Sequence, residues 1–186
     1  MDSADDPRAD RLTVASYLEK PESTRPMELV YGVVREPPAP RYGHQALLTH
    51  LGALLDRHVR ERGLGEVCVS PVDVVLDEPA ALVVQPDVIF VAADRLSIVR
   101  DRVFGPPDLV VEVLSPGTAR RDRTTKLGWY RRYGVRECWL VDARKRSVEV
   151  IDLRAEVEGR RTIAGDEPLR SAVLPDWTIP VSELFD

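Results

Sequence analysis

Two acidic side chains interrupt apolar stretches that otherwise have the composition of buried strands. Asp87 stands in the stretch Val-Val-Gln-Pro-Asp-Val-Ile-Phe-Val, and Glu112 stands in Leu-Val-Val-Glu-Val-Leu-Ser. A buried carboxylate is energetically costly unless it is paired or binds a cation. We therefore take Asp87 and Glu112 as the first candidates for residues that carry out chemistry.

A divalent cation would explain both acids at once. Two carboxylates on neighbouring strands repel each other unless such an ion lies between them. Magnesium suits the pair, because Mg²⁺ takes one or two protein carboxylates and keeps several waters. A site made of Asp87, Glu112 and the backbone carbonyl of Val113 would leave positions for phosphate oxygens, as phosphoester cleavage requires. The alternative is that each acid pairs with an arginine or marks the end of a strand.

A later segment with helical spacing supplies an amine. Asp122, Lys126 and Tyr130 are four residues apart, so they lie along one side of a helix. If that side packs over the sheet, the Lys126 ammonium can reach the two acids and orient a water or neutralise phosphate charge. We expect Tyr130 to pack with its hydroxyl toward the same place. The alternative for Asp122 and Lys126 is a surface ion pair, worth roughly a few tenths of a kcal/mol.

The same helix concentrates positive charge. Between residues 119 and 136, seven basic residues stand against one acid, in a chain whose formal net charge is −5. A cationic stripe on an acidic body can meet a polyanion on one face, which makes Arg120, Arg121 and Arg123 candidates for contact with DNA. The alternative is an ordinary solvated helix face.

The elements that must position these residues are predicted from periodicity and from turn residues. We expect helices at 13–19, 43–63 and 119–133, and two short strands around Tyr31-Gly32. Further strands are expected at 66–70, 72–76, 83–91, 109–114, 138–141 and 148–153, followed by an irregular carboxyl-terminal strap. This order predicts a mixed α/β fold with one central sheet and helices on its faces. In the strand that carries Glu112, Val110 and Leu114 share its face.

Composition predicts one globular domain outside the membrane. The chain has 186 residues, of which 44% are hydrophobic and 31% charged, so it can bury a core without a disulfide or metal staple. We expect a leader and short helix at 1–26 and a single domain at 27–186. Cys68 and Cys138 lack C-x-x-C spacing, no signal sequence precedes the domain, and no apolar run approaches about 18 residues. These features predict a cytoplasmic location.

Four stretches, considered together, resemble a large bacterial family. They are Gln85-Pro-Asp-Val, Pro107-Asp-Leu-Val-Val-Glu-Val-Leu-Ser-Pro, and Arg121-Asp-Arg-Thr-Thr-Lys-Leu-Gly-Trp-Tyr with Gly134-Val-Arg-Glu-Cys-Trp-Leu-Val-Asp. Over about residues 27–185 the chain is similar to the restriction endonuclease-like branch of the PD-(D/E)xK nucleases. That resemblance implies a restriction-endonuclease-like core.

The resemblance also implies roles for the candidate residues. Asp87 and Glu112 would bind magnesium, with manganese as a possible substitute, and water would attack a DNA phosphodiester. The superfamily's usual lysine stands two residues after the second acid, where this chain has Leu114. The resemblance therefore implies that Lys126, from the following helix, takes its place. Related nucleases commonly pair to cut two strands, which suggests a homodimer by analogy.

Three further polar residues match positions typical of this branch. Glu28 is either a solvated strand acid or an auxiliary metal-site carboxylate or base. His44 begins the apolar stripe of its predicted helix, and is either a core or cap residue or a contact to the scissile phosphate. Asp73 points away from its apolar neighbours in a predicted strand, so it is a candidate to join the acidic cluster.

These inferences lead to one hypothesis and two rivals. The hypothesis is a cytoplasmic, Mg²⁺-dependent endonuclease that acts on DNA. The first rival is a catalytically inactive interaction module that has kept the fold, and the second is a metal-dependent hydrolase of another phosphoester. No zinc spacing, glycine-rich phosphate cradle or Ser/His/Asp motif is evident, so nucleotide hydrolysis and acyl transfer have no positive support.

Overall fold

Three helical segments occur at the predicted places. The computed structural model describes residues 11–21, 24–117, 119–155 and 159–185. The helices are α1 (Val14–Leu18), α2 (Tyr42–Arg62) and α3, which comprises Ala119–Arg121, a π-helical turn at Asp122–Lys126 and Leu127–Tyr133. The Thr13 side chain caps α1, while Gly63 and Gly134 end the other two in the left-handed conformation that glycine adopts at low cost.

The strands form two main sheets. The described residues contain β1 (Glu28–Val30), β2 (Val33–Arg35), β3 (Gly65–Val69), β4 (Val74–Asp77), β5 (Leu82–Val84), β6 (Val88–Ala92), β7 (Val103–Phe104), β8 (Leu109–Val113), β9 (Glu137–Asp142), β10 (Ser147–Asp152), β11 (Gly159–Ala164), β12 (Pro168–Arg170) and β13 (Thr178–Pro180). One sheet has the order β11-β10-β9-β8-β6-β3 and the other β2-β1-β5-β4-β7, with β12 and β13 as a separate pair. Parallel pairing of β8 with β9 and of β4 with β7 makes both main sheets mixed.

Strand β8 lies inside the six-stranded sheet and divides two hydrophobic cores. Leu109, Val111 and Val113 pack in the core that contains Leu51 and other buried residues of α2. Val110 faces the opposite core, which also contains Leu127, Tyr130 and residues of the five-stranded sheet. The predicted alternation along β8 is therefore confirmed. Because Glu112 shares the side of Val110, it faces α3.

The predicted strand at 83–91 is wrong in one respect, because it is two strands in different sheets. β5 belongs to the five-stranded sheet and β6 to the six-stranded sheet. Pro86 separates them and has no N–H to give to a ladder. On either side of it, the Gln85 N–H is 3.3 Å from a carboxylate oxygen of Glu28, and the Asp87 carbonyl accepts from the Ser70 N–H at 2.9 Å. The mixed α/β class is confirmed, but its strands divide between two main sheets and not one.

The carboxyl-terminal segment is more regular than the predicted strap. It includes β12, β13 and a short 3₁₀ helix at Val181–Phe185, and it buries Trp177 in the α2 core. His50 and His58 of α2 donate from Nε2 to backbone carbonyls of this segment, at 2.8 and 2.9 Å. Within the described ranges, no helix combines the length and apolar character needed to cross a bilayer.

Asp108, just before β8, joins several parts of the fold through a buried carboxylate. Its side chain is fully buried, and Oδ1 lies 2.8 Å from a guanidinium nitrogen of both Arg95 and Arg136. Its Oδ2 accepts from the Ala92 N–H at 2.9 Å. This carboxylate therefore holds β6, the 3₁₀ helix at Ala93–Ile98 and the approach to β9 around the start of β8.

Replacement of Asp108 by alanine should destabilise the protein. We expect Asp108→Ala to lower the free energy of unfolding by about 2–3 kcal/mol, because a buried N–H and two guanidinium groups lose their acceptor. Urea unfolding followed by circular dichroism measures the change. The matched control is Asp56→Ala, which removes an exposed Asp–Arg pair on α2. An equal fall in both variants would contradict the structural role of Asp108.

Candidate active site

Five charged side chains lie close together beside β8. They are Glu28 from β1, Asp87 from the link before β6, Glu112 from β8, and Asp122 and Lys126 from the π-helical turn of α3. All except Asp87 are buried, and their charges act on one another. Two sheets and a helix thus contribute acids to one place, because β8 faces α3 and the link 85–87 crosses between the sheets.

Asp87 is held at both carboxylate oxygens. Its Oδ2 accepts from the Val113 N–H at 2.7 Å, two residues beyond Val111, which pairs with Val88 in the β6–β8 ladder. Its Oδ1 lies 3.3 Å from Nε2 of His44 in the first turn of α2. This hydrogen bond raises the pKa of His44, although burial acts in the opposite direction. The structure therefore brings His44 to Asp87.

Glu112 is paired with the amine predicted from the helix. Nζ of Lys126 lies 2.6 Å from Oε1 of Glu112 and 3.3 Å from Oε1 of Glu28. The Tyr130 hydroxyl donates to the same Glu112 oxygen. Lys126 therefore contacts Glu112 together with Glu28, and among the described residues no ion pair joins it to Asp87.

The π-helical turn places both of its charged ends inside the protein. Asp122 and Lys126 are 4% and 5% exposed, so they do not form a surface ion pair. π-helical turns occur often at functional sites. Burial alone would lower the pKa of Lys126, but the charges of Glu112, Glu28 and Asp122 raise it, so the amine stays protonated.

Glu28 is buried between two cations, which does not fit the solvated alternative. Its Oε2 lies 2.6 Å from a guanidinium nitrogen of Arg121, and its Oε1 contacts Lys126. Burial raises the pKa of Glu28, but the charges of Lys126 and Arg121 outweigh that effect and lower it below its usual value. Glu28 is therefore a carboxylate at neutral pH.

Burial makes the charged form of Glu112 costly. Burial raises its pKa, and the charges of Asp87 and Asp122 raise it further against the opposing effect of Lys126. Four acids thus share two permanent cations, Lys126 and Arg121, and the pKa of Glu112 is raised to about 8. A bound divalent cation would favour the ionised form of Glu112, as an opposite charge does for any carboxyl group.

The arginines of the helical stripe are placed differently from one another. Arg121 pairs with Glu28 and lies over the Trp129 ring, 5.5 Å from its centroid. Arg123 pairs with Glu149 and lies 3.9 Å from Asp142. Arg120 is exposed. Two of the three therefore neutralise the protein's own acids.

Asp73 pairs with groups outside this cluster. It accepts from the Gln85 side chain at 2.9 Å and from the Tyr17 hydroxyl at 3.2 Å, and it pairs with Arg102 at 3.3 Å. These groups border a cavity of about 530 Å³. Sequence reasoning missed Gln85, which links this network to Glu28 through its N–H. In the sequence, the one feature that could have drawn attention to Gln85 is its place directly before Pro86-Asp87.

Asp87 and Glu112 are the acids whose chemistry suits a magnesium or manganese ion. Both offer carboxylate oxygens, the ligands that Mg²⁺ prefers, and their mutual repulsion is a cost that a divalent cation relieves. In the described part of the chain, no group of three or more His, Cys, Asp or Glu side chains is arranged to hold a metal ion.

Comparisons with known proteins give one family and one solved structure. Residues 14–182 match the family model described as "Uma2: Putative restriction endonuclease". No curated protein matches the chain. A crystal structure titled as a putative nuclease belonging to DUF820 from Anabaena variabilis ATCC 29413 superimposes with a TM-score of 0.77 at 17% sequence identity, covering 94% of this chain and 97% of that one. At this identity the likeness shows a shared fold.

Removal of the Lys126 amine should destabilise the site strongly. We expect Lys126→Met to lower the free energy of unfolding at pH 7 by about 3–5 kcal/mol, because Glu112 and Glu28 are left as buried acids without this partner. Glu112→Gln in the same background should recover part of the loss. Urea unfolding measures both effects, and Lys145→Met, at an exposed turn, is the matched control. A Lys126→Met protein as stable as the control would contradict this account.

Proposed function

The chain belongs to the Uma2 family, as the resemblance of its motifs predicted, and we propose that it is a Mg²⁺-dependent endonuclease that hydrolyses DNA phosphodiester bonds. One observation carries the proposal. A protonated amine, Lys126, lies 2.6 Å from the acid Glu112, whose pKa is raised by burial and further by the charge of Asp87. Paired acids with an adjacent amine are the groups that metal-assisted phosphodiester cleavage needs.

Asp87 and Glu112 would hold the ion. When bound, such an ion supplies a water of lowered pKa and polarises a phosphate oxygen. His44 and the Val113 N–H keep the Asp87 carboxylate in one orientation, since each bonds a different oxygen. Tyr130 does the same for Glu112 by donating to Oε1. Such supporting hydrogen bonds raise the precision with which carboxylates present their oxygens.

Lys126 would act as a cation and not as a base. Its pKa is raised by the surrounding carboxylates, so it keeps its proton at neutral pH. An ammonium in this position can stabilise the negative charge that develops on the phosphate in the transition state. Glu28 contributes by holding the amine, because it contacts both Lys126 and Arg121. Leu114 occupies the position where the superfamily usually has its lysine. Its side chain packs against the hydrophobic core that contains Leu127 and Tyr130 of α3.

The substrate is proposed as DNA and the active form as a homodimer. The family description, a putative restriction endonuclease, supports this substrate, and exposed Arg120, which precedes Arg121 in the chain, offers a cation for a phosphate. Dimerisation is proposed by analogy, because two sites are needed to cut both strands of a duplex at one position. A monomer would produce nicks, and a dimer would also produce linear molecules.

Plasmid cleavage tests the proposal directly. We expect purified protein to convert supercoiled plasmid to nicked or linear forms with Mg²⁺ or Mn²⁺, and EDTA to stop the reaction. Asp87→Ala should lower the rate by about 100-fold or more, because it removes a proposed ligand. Gel electrophoresis over a time course measures the rate.

The controls separate nuclease activity from its rivals. Asp56→Ala removes an exposed acid of α2 that is not part of the candidate site, and it should leave the cleavage rate unchanged. Activity that survives in Asp87→Ala would reveal another site or a contaminant. No cleavage by any variant, with Mn²⁺ binding intact by calorimetry, would favour a hydrolase of another phosphoester. Absence of both cleavage and metal binding would favour the inactive interaction module.

A further inference from the structure

The turn between β1 and β2 contains a tyrosine where its backbone is unfavourable. Val30 pairs with Val33, so Tyr31 and Gly32 form a two-residue turn, with φ of 51° and 84°. Turns with two positive φ angles favour Asn-Gly, and a bulky side chain at positive φ is a strained outlier. The turn itself gives no reason for tyrosine at position 31.

Packing against the protein covers only part of the Tyr31 ring. One edge meets Trp129, with 6.0 Å between ring centroids and an interplanar angle of 86°. Trp129 is buried, whereas Tyr31 remains 39% exposed. Strained backbone conformations cluster at active sites and ligand-binding sites, so Tyr31 is a candidate for a functional contact.

A chain of side-chain contacts connects this ring to the candidate active site. Trp129 lies under the guanidinium of Arg121, which is 2.6 Å from Glu28. On the other strand of the hairpin, Arg35 pairs directly with Glu28 in the β1–β2 register. Arg35 is exposed while Glu28 is buried, so a solvent-facing cation is the cross-strand neighbour of this acid, and the Tyr31 ring is linked to the same acid through Trp129 and Arg121.

We infer that Tyr31 stacks on an unpaired base of the DNA strand that flanks the scissile phosphate, while Arg35 contacts a neighbouring phosphate. The inference rests on the proposed function and adds a substrate class to it. A base inside a duplex has both faces covered by its neighbours, whereas an unpaired base offers a face to an aromatic side chain. The site therefore selects single-stranded or locally unpaired DNA over continuous duplex.

Oligonucleotide binding tests the inference without cleavage. Fluorescence anisotropy in EDTA compares a labelled single strand with a duplex of the same sequence. Tyr31→Asn should weaken single-strand binding by about 5-fold to 150-fold and change duplex binding little, since base stacking on an aromatic contributes that much. Tyr31→Phe keeps the ring and should bind as the native protein does. Val33→Ala, at an exposed position of the same hairpin, is the matched control.

Two further measurements separate stacking from structure and charge. Because asparagine suits this turn, Tyr31→Asn should keep or raise the midpoint of urea unfolding. Arg35→Gln should weaken binding of both DNAs equally and reduce the slope of log affinity against log salt by about 1.

Three results would overturn the inference. They are native protein that does not bind the single strand, an equal loss on both DNAs in Tyr31→Asn, and a lowered unfolding midpoint with binding intact. Failure of the proposed function is distinguishable from these. It would appear as single-strand binding that depends on Tyr31, combined with no Asp87-dependent cleavage when Mg²⁺ is supplied.

Discussion

The ammonium of Lys126, enclosed by the carboxylates of Glu112 and Glu28, is the interaction on which the rest of the site depends. Each of these groups is costly to bury alone, and together they are tolerated because they compensate one another. The three come from a helix and from strands of two different sheets. Electrostatic pairing therefore requires the correct packing of α3 against both sheets, and the fold and the site form together.

Alternation along β8 and the helical spacing of α3 made much of this arrangement predictable. A polar residue among apolar neighbours reveals which face of a strand it occupies, and four-residue spacing aligned Lys126 and Tyr130 toward the same face. The partners themselves were less accessible. Arg121 pairs with Glu28, and Arg102 pairs with Asp73. Both ion pairs join segments that are far apart in the chain, so the sequence pattern does not reveal them. The charge composition suggested a basic stripe that faces DNA. It could not reveal which of the arginines form ion pairs with acids of the protein itself.

Turns and crossings between sheets were the least predictable elements. The apolar run at 83–91 has the composition of one strand, and Pro86 alone does not say whether the chain bends or changes sheet. The change of sheet follows from bonds made elsewhere, by Glu28 to the Gln85 N–H and by Ser70 to the Asp87 carbonyl. Asp87 consequently precedes β6 and reaches the β8 backbone with its side chain.

The link Gln85-Pro86-Asp87 is only three residues long, and it joins a strand of one sheet directly to a strand of the other. Adding or removing one residue there would shift β6 by one position and turn its buried side chains to the opposite face. The distance in sequence from β5 to β6 should therefore be invariant across an alignment of relatives. The surface turns at 143–146 and 165–167, which carry exposed residues, should vary freely in length. Relatives of this protein should therefore show no insertions or deletions at this link.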